Sequence, residues 1–248
     1  MNFVNSSNLM LPYFYQQQLE EKTGAFQLDE VASHHCTQVL RMKEGAELLL
    51  TNGRGLSAAA MIVSASRKRT QVEVQTVEKV SATVAQFGLA IAFTKNKSRN
   101  EWLLEKATEM GISHIFPLFT KRGEKDKINP ERLNNILVSA MLQSQQVYLP
   151  QLHEAQPLAK LLAASDAIFP QKFIAHCESG QERNPYWKAL ETGKNTLVLV
   201  GPEGDFTGEE ITMSLAAGFK AVSFGNNRLR TETAGLYACT VFNAKNYG

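Results

Sequence analysis

Thr196-Leu197-Val198-Leu199-Val200-Gly201-Pro202-Glu203-Gly204-Asp205-Phe206-Thr207-Gly208-Glu209-Glu210 is the stretch that decides the fold. Five apolar or β-branched residues without alternation read as a strand buried on both faces, which is the mark of a parallel sheet. A glycine-bearing loop follows. Thr207 and Glu210 then stand three apart as a capping box, so a helix begins there. A loop at the carboxyl end of a parallel strand is where α/β sheets take ligands, and glycine lets backbone come close to them. By itself the segment also fits a plain strand-to-helix turn. Gly201, Gly204 and Gly208 do not have the G-x-G-x-x-G spacing, and no Gly-Lys-Ser/Thr is present, so neither a dinucleotide fingerprint nor a P-loop is read here.

Outward from it the same grammar repeats. Ala221 to Phe224 is a strand, Gly225 to Arg230 a loop, and Thr231 the expected N-cap of a helix through about Asn243 with Ala234, Tyr237, Ala238, Val241 and Phe242 as its apolar stripe. Upstream, Val84 to Phe93 is an almost unbroken apolar run. Helices are expected over Asn100–Met110 and Glu131–Gln143, and strands at His114–Leu118 and Phe173–Ala175. Alternating strands and helices imply a parallel sheet covered on both sides. Before Val77 the pattern is mostly β: Ala25–Leu28, Leu48–Leu50, Ala58–Val63 and Gln71–Val77, with a helix from Glu30 to about Leu40 capped by Asp29. The reading is α/β with two domains, a β domain over residues 1–73 and an α/β domain over 74–248, the change of grammar falling near 73–80.

Composition narrows the function. The chain has 248 residues, 44% apolar and 20% charged, so it is neither disordered nor too short for its own core. Lys+Arg 26 against Asp+Glu 24 leaves +2, too close to neutral to announce nucleic acid by charge alone. Cys36, Cys177 and Cys239 are odd in number and far apart, which argues against a disulfide framework and for a reducing compartment. No apolar run reaches the length of a membrane span, and Met1–Leu11 lacks the pattern of a signal peptide, so a cytoplasmic location is expected. His34-His35-Cys36 faces several ways on a helix, and no ligand pair stands at metal spacing elsewhere, so no metal is expected.

Gly201-Pro202-Glu203-Gly204, followed by Leu229-Arg230-Thr231-Glu232-Thr233-Ala234, resembles the SPOUT superfamily, and within it the ribosomal RNA small subunit methyltransferase E family. Val39-Leu40-Arg41, Gly45 and Gly53-x-Gly55 match that family's PUA-like barrel. Glu105 to Gly111, Pro117-Leu118, and Ser139-Ala140 with Gln143-Ser144 match its next helix, strand and second helix. Two departures stand out: Asp205 where the family usually has a second glycine, and Gln145-Gln146 where an Arg is common.

The resemblance implies a C-terminal trefoil-knot methyltransferase domain behind a PUA-like β-barrel, assembled as a homodimer. It implies S-adenosylmethionine as methyl donor, with His176, Val200, Gly201, Gly204, Phe224, Gly225, Leu229, Thr231 and Thr233 around it. It implies N3 of a uridine in 16S rRNA of the small ribosomal subunit as acceptor. Loss of the N3 proton puts negative charge on the base, which Arg230 would stabilise while Glu203 orients Arg230 or takes the proton. An equally good reading makes Arg230 and Glu203 a brace between the two loops. A nucleophilic Cys177 is unsupported, since N-methylation needs no covalent adduct. RNA contacts are expected from Arg41, Arg67, Arg69, Lys95, Arg99, Arg122 and Gln143, within basic clusters at 67–69, 95–99 and Lys121-Arg122 with Lys125 and Lys127. The competing functions are another SPOUT target, such as a ribose 2′-oxygen or a tRNA, and a non-catalytic RNA-binding protein.

Overall fold

A computed structural model describes residues 11–123, 128–164, 168–178 and 183–247. Met1–Met10, Lys125 and Lys127 lie outside the described residues. The chain divides into two compact units, residues 1–82 with 141–149, and residues 83–140 with 150–248.

The first unit is built on β1 (Tyr13–Tyr15), β2 (Gly24–Gln27), α1 (Glu30–His34), β3 (Glu47–Thr51), β4 (Leu56–Ser64) and β5 (Gln71–Lys79). Its sheet runs β1-β3-β4-β5-β2. From Leu56 to Ile62 the residues of β4 alternate between buried and half-buried, so Leu56, Ala58, Ala60 and Ile62 enter a core with Leu28, Leu48, Leu50 and Val72. The boundary expected at 73/74 falls inside β5, whose pairing with β4 continues to Lys79. Asp29 caps α1 as expected, its carboxylate accepting the Ala32 N–H at 2.7 Å. The helix gives way at His35 to a π-helical turn, His35–Val39, and Cys36 is a core residue. Residues 147–149 return to this unit: Gly55 N–H donates to the Val147 carbonyl and Leu149 N–H to the Gly53 carbonyl, both at 2.9 Å. Gly53 and Gly55 have φ of +69° and +93°, and a Cβ on Gly55 would meet the Tyr148 ring, so both positions require glycine.

In the second unit β6 (Phe87–Ile91), α2 (Lys97–Glu109), β7 (His114–Phe119), α3 (Pro130–Gln143), β8 (Gln151–Leu152), β9 (Gln156–Pro157), α4 (Leu158–Ala164), β10 (Gln171–Ala175), β11 (Asn184–Pro185), α5 (Tyr186–Ala189), β12 (Thr196–Val200), α6 (Gly208–Ala216), β13 (Lys220–Ser223) and α7 (Thr231–Tyr247) follow in order. Every pairing is parallel and the sheet reads β11-β13-β10-β12-β6-β7-β8. The two continuous apolar runs, β6 and β12, are adjacent and fully buried. Because β12 enters between β6 and β10, the carboxyl ends of β6, β10, β12 and β13 share one edge.

Three expectations need correction. The buried run does not begin at Val84, which is 87% exposed; the strand starts at Phe87. The helix expected from Asn100 starts at Lys97, because the Asn96 side chain accepts the Arg99 N–H and caps it a turn earlier. The packed face of α7 keeps Ala238 and Phe242 of the expected stripe and adds Thr231, Glu232, Gly235 and Cys239, while Ala234, Tyr237 and Val241 are only half-buried. Gly235 belongs to that face: a Cβ there would stand 3.1–3.2 Å from the side chains of Leu89, Ile91 and Leu103, tighter than ordinary contact, so glycine lets the helix lie against them. Among the described residues no helix is long and apolar enough to cross a membrane.

His114 and His153 give this unit a pH dependence. Nδ1 of His114 lies 3.2 Å from Nε2 of His153, and its Nε2 lies 3.2 Å from the Gln86 side-chain oxygen. Burial lowers the pKa of His114, and burial together with the neighbouring His114 lowers that of His153. The unfolded chain therefore binds more protons at mildly acid pH, and stability falls as pH drops from about 7 through the ordinary histidine value near 6.5. Urea midpoints between pH 7.5 and 5.5 should fall more steeply for the natural chain than for His153→Phe, which keeps the ring stacked on Phe116. Equal slopes would contradict this account.

Candidate active site

Two loops build the site. One runs from the end of β12 to α6 (Gly201–Thr207), the other from the end of β13 to α7 (Phe224–Arg230). With His176 and Cys177 at the end of β10 they enclose a cavity of about 320 Å³. Its lining includes nine of the eleven residues expected for cofactor and chemistry: His176, Val200, Gly201, Glu203, Phe224, Gly225, Leu229, Arg230 and Thr231. Gly204 and Thr233 are not among them; Thr233 is exposed on the first turn of α7.

Each loop is held by specific bonds. The Thr231 hydroxyl donates to the Gly201 carbonyl at 3.1 Å, in a buried position, and so ties the second loop to the first. Thr231 is thus the first residue of α7 rather than its N-cap; the Arg230 carbonyl receives the first helical bond, from Ala234 N–H at 2.8 Å. The capping box at Thr207 and Glu210 forms as expected, and the buried Glu210 carboxylate also accepts the Lys121 N–H at 2.8 Å. The missing Cβ of Gly201 faces Phe206, 3.1 Å from its backbone nitrogen and ring, so glycine is needed for the loop's own packing.

Asp205 explains its departure from glycine. Its φ is +64°, the left-handed conformation that glycine adopts most easily. Its carboxylate offsets the strain by accepting the Cys177 N–H at 2.6 Å and the Phe206 N–H at 2.7 Å. These bonds join the end of β10 to the first loop. Arg122, expected to contact RNA, braces the same loop: its guanidinium donates to the Gly204 carbonyl at 3.0 Å and lies 3.5 Å from that of Phe206. A basic run in the sequence gave no sign of this, because the partners are backbone carbonyls eighty residues away.

The cavity's electrostatics are mixed. Arg183, Arg228 and Arg230 line it with Glu203 and Asp205. No ion pair joins Glu203 to Arg230 among the described residues, so the brace between them is not formed; Thr231 and Gly201 link the loops instead. His176 is 4% exposed and neither ring nitrogen has a hydrogen-bond partner among the described residues. Burial lowers its pKa, helped by Arg183, against the opposite pull of Asp205 and Glu178. A neutral buried imidazole with a free donor and a free acceptor is an incomplete site, since buried polar groups are normally paired.

The remaining residues expected at RNA are spread out. Arg41, Arg67 and Arg69 are exposed on the first unit, and Arg41 has φ of +54°. Lys95 is exposed before α2, and Gln143 is exposed at the last residue of α3. Arg99 is 3.6 Å from the buried carboxylate of Glu232.

Replacing Asp205 separates strain from bonding. Asp205→Gly loses the two hydrogen bonds but relieves the backbone; Asp205→Ala loses both bonds and keeps the strain. Denaturant midpoints should rank natural chain, then Gly, then Ala, with Ala about 1 kcal/mol below Gly. Ala equal to or above Gly would refute the conformational assignment.

Comparison with known proteins places this geometry. Residues 81–243 match the model of an RNA methyltransferase domain, and residues 28–75 that of an RNA methyltransferase PUA domain. The crystal structure of a probable rRNA-methyltransferase from Porphyromonas gingivalis superposes with a TM-score of 0.88 at 36% identity, covering 95% of this chain and 98% of that one. A putative methyltransferase from Legionella pneumophila, solved with its bound cofactor SAM, gives 0.84 at 28% identity over 96% and 99%. The ribosomal RNA small subunit methyltransferase E of Rickettsia conorii is 28% identical over 83% of both chains.

Proposed function

The chain belongs to the RNA methyltransferase family, with the SPOUT and PUA fold classes its sequence resembles, and from that premise we propose that it methylates N3 of a uridine in 16S rRNA. The methyl donor is S-adenosylmethionine. The observation that carries the reading is the cavity between the two carboxyl-edge loops, with His176, unpartnered among the described residues, in its wall. The residues fit that cofactor. The volume suits a small molecule, Gly225 leaves backbone open to it, His176 offers one donor and one acceptor, and the Glu203 and Asp205 carboxylates complement a cation.

When bound, S-adenosylmethionine supplies a methyl group made electrophilic by its sulfonium, so the protein's task is mainly alignment. Val200, Gly201, Phe224, Gly225 and Leu229 hold the adenosyl part, and Thr231 keeps the two loops at the spacing this requires. Glu203 receives the N3 proton, directly or through a water. Arg230, permanently charged, faces the negative charge that spreads onto the flanking carbonyl oxygens of the uracil. Arg41, Arg67, Arg69, Lys95 and Arg99 contact the RNA backbone, where fixed positive charge positions a strand without reading it, and Gln143 adds a neutral hydrogen-bonding contact. The active form is a homodimer, and its substrate is rRNA within the small ribosomal subunit.

Mass-spectrometric nucleoside analysis of 16S rRNA tests the reading: 3-methyluridine should disappear from cells lacking this protein and return with it. Within the reaction, Arg230→Ala should slow single-turnover methylation about 100-fold, the usual effect of removing one electrostatic stabiliser, while S-adenosylmethionine affinity stays within about twofold. Calorimetry run beside the kinetics separates this from a structural role, in which affinity and rate fall together. A normal rate would remove Arg230 from the mechanism.

A further inference from the structure

The same edge of the sheet carries a second cavity, also of about 320 Å³, where β6 and β7 end. It adjoins the first along the sheet. Ala92, one residue before Phe93 in its wall, donates its N–H to the carbonyl of Val200 in the wall of the other.

Its chemistry is distinct. Phe93 and Phe119, both half-buried, line it above an apolar floor of Pro117, Leu118 and Leu133. Two helix N-termini also meet there. Asn96 caps α2 and Asn129 caps α3, its side chain accepting the Arg132 N–H at 3.1 Å. Helices of 13 and 14 residues each present a positive end. Among the described residues of the cavity's wall, Lys97 and Arg132 add two cations against the one carboxylate of Glu101. Glu101 accepts from Arg132 in a two-pronged fork, Nε at 2.6 Å and Nη2 at 2.9 Å, which fixes the guanidinium plane. Aromatic walls beneath an excess of positive charge suit a base stacked on a ring with its phosphate held at the rim.

We propose that this cavity is a subsite for one nucleotide of single-stranded RNA, beside the nucleotide that is methylated. The inference rests on the RNA methyltransferase reading and goes beyond it by assigning the RNA a place on the fold. It also supplies a physical link between the two cavities. Phe119 in the wall of the second is followed, three residues later, by Arg122, which holds the Gly204 and Phe206 carbonyls of the cofactor loop. A base seated on Phe119 is thus three residues from the brace of the methyl-donor site.

A ten-nucleotide oligouridine carrying one 4-thiouridine serves as probe, irradiated with the full-length protein, followed by peptide mass mapping. Crosslinks are expected in the peptides holding Phe93 to Glu101 or Pro117 to Phe119. In parallel, Lys97→Gln with Phe119→Leu should weaken oligouridine binding at low salt about tenfold, and S-adenosylmethionine affinity should stay within twofold, which also shows that the variant is folded. If the cofactor binds but the oligonucleotide crosslinks elsewhere or not at all, the subsite is refuted and the methyltransferase reading stands. A variant that drops to half its mass in sedimentation marks the cavity as a contact between copies and also overturns the proposal. Loss of both ligands by the natural chain counts against the reading and the subsite together.

Discussion

The hydroxyl of Thr231 reaches the Gly201 carbonyl across 3.1 Å of buried space, and the geometry of the site depends on that bond. It fastens the start of α7 to the end of β12. The first loop is fixed to β10 through Asp205, to the segment after β7 through Arg122, and to α6 through the Thr207–Glu210 capping box. The second loop has fewer anchors; Gly225 has no atom within 4 Å of where its Cβ would be. Thr231 transmits the rigidity of the first loop to the second. A buried carbonyl left without its donor costs about 1–3 kcal/mol, so this contact is worth more than its size suggests.

The parts of the fold legible in the sequence were those written in one local signal. Leu197 to Val200 and Leu89 to Ile91 announce buried parallel strands because no polar residue interrupts them, and both are adjacent in the sheet. Thr207 and Glu210 announce a helix start by spacing alone. The seven-residue α4 was missed because Leu158-Ala159-Lys160-Leu161-Leu162-Ala163-Ala164 is too short to show a helical period. The face of α7 was only partly legible because glycine does not score as apolar, although Gly235 lies against Leu89 and Ile91 of β6.

The site was legible in its motifs and illegible in its bracing. The Gly201–Gly204 and Leu229–Ala234 segments pointed to the edge of the sheet where the first cavity forms. Arg122 and Asp205 did not declare their roles, because the groups they bind are backbone atoms brought together by the fold. Glu203 and Arg230 were expected to act together, by chemistry or as a brace; the structure brings them to one cavity without pairing them. The second cavity had no motif at all, since Phe93, Phe119 and Arg132 come from three separate elements. Distant residues meeting at a sheet edge leave no periodic trace.

The most direct measurement is a calorimetric titration of S-adenosylmethionine into the natural chain and into Thr231→Val, which preserves shape and removes the hydroxyl. The account predicts one site per chain in the natural protein and, in a variant that still folds but is less stable by about 1–3 kcal/mol, at least tenfold weaker binding. Equal affinity in the two proteins, or no binding by the natural chain, would contradict it.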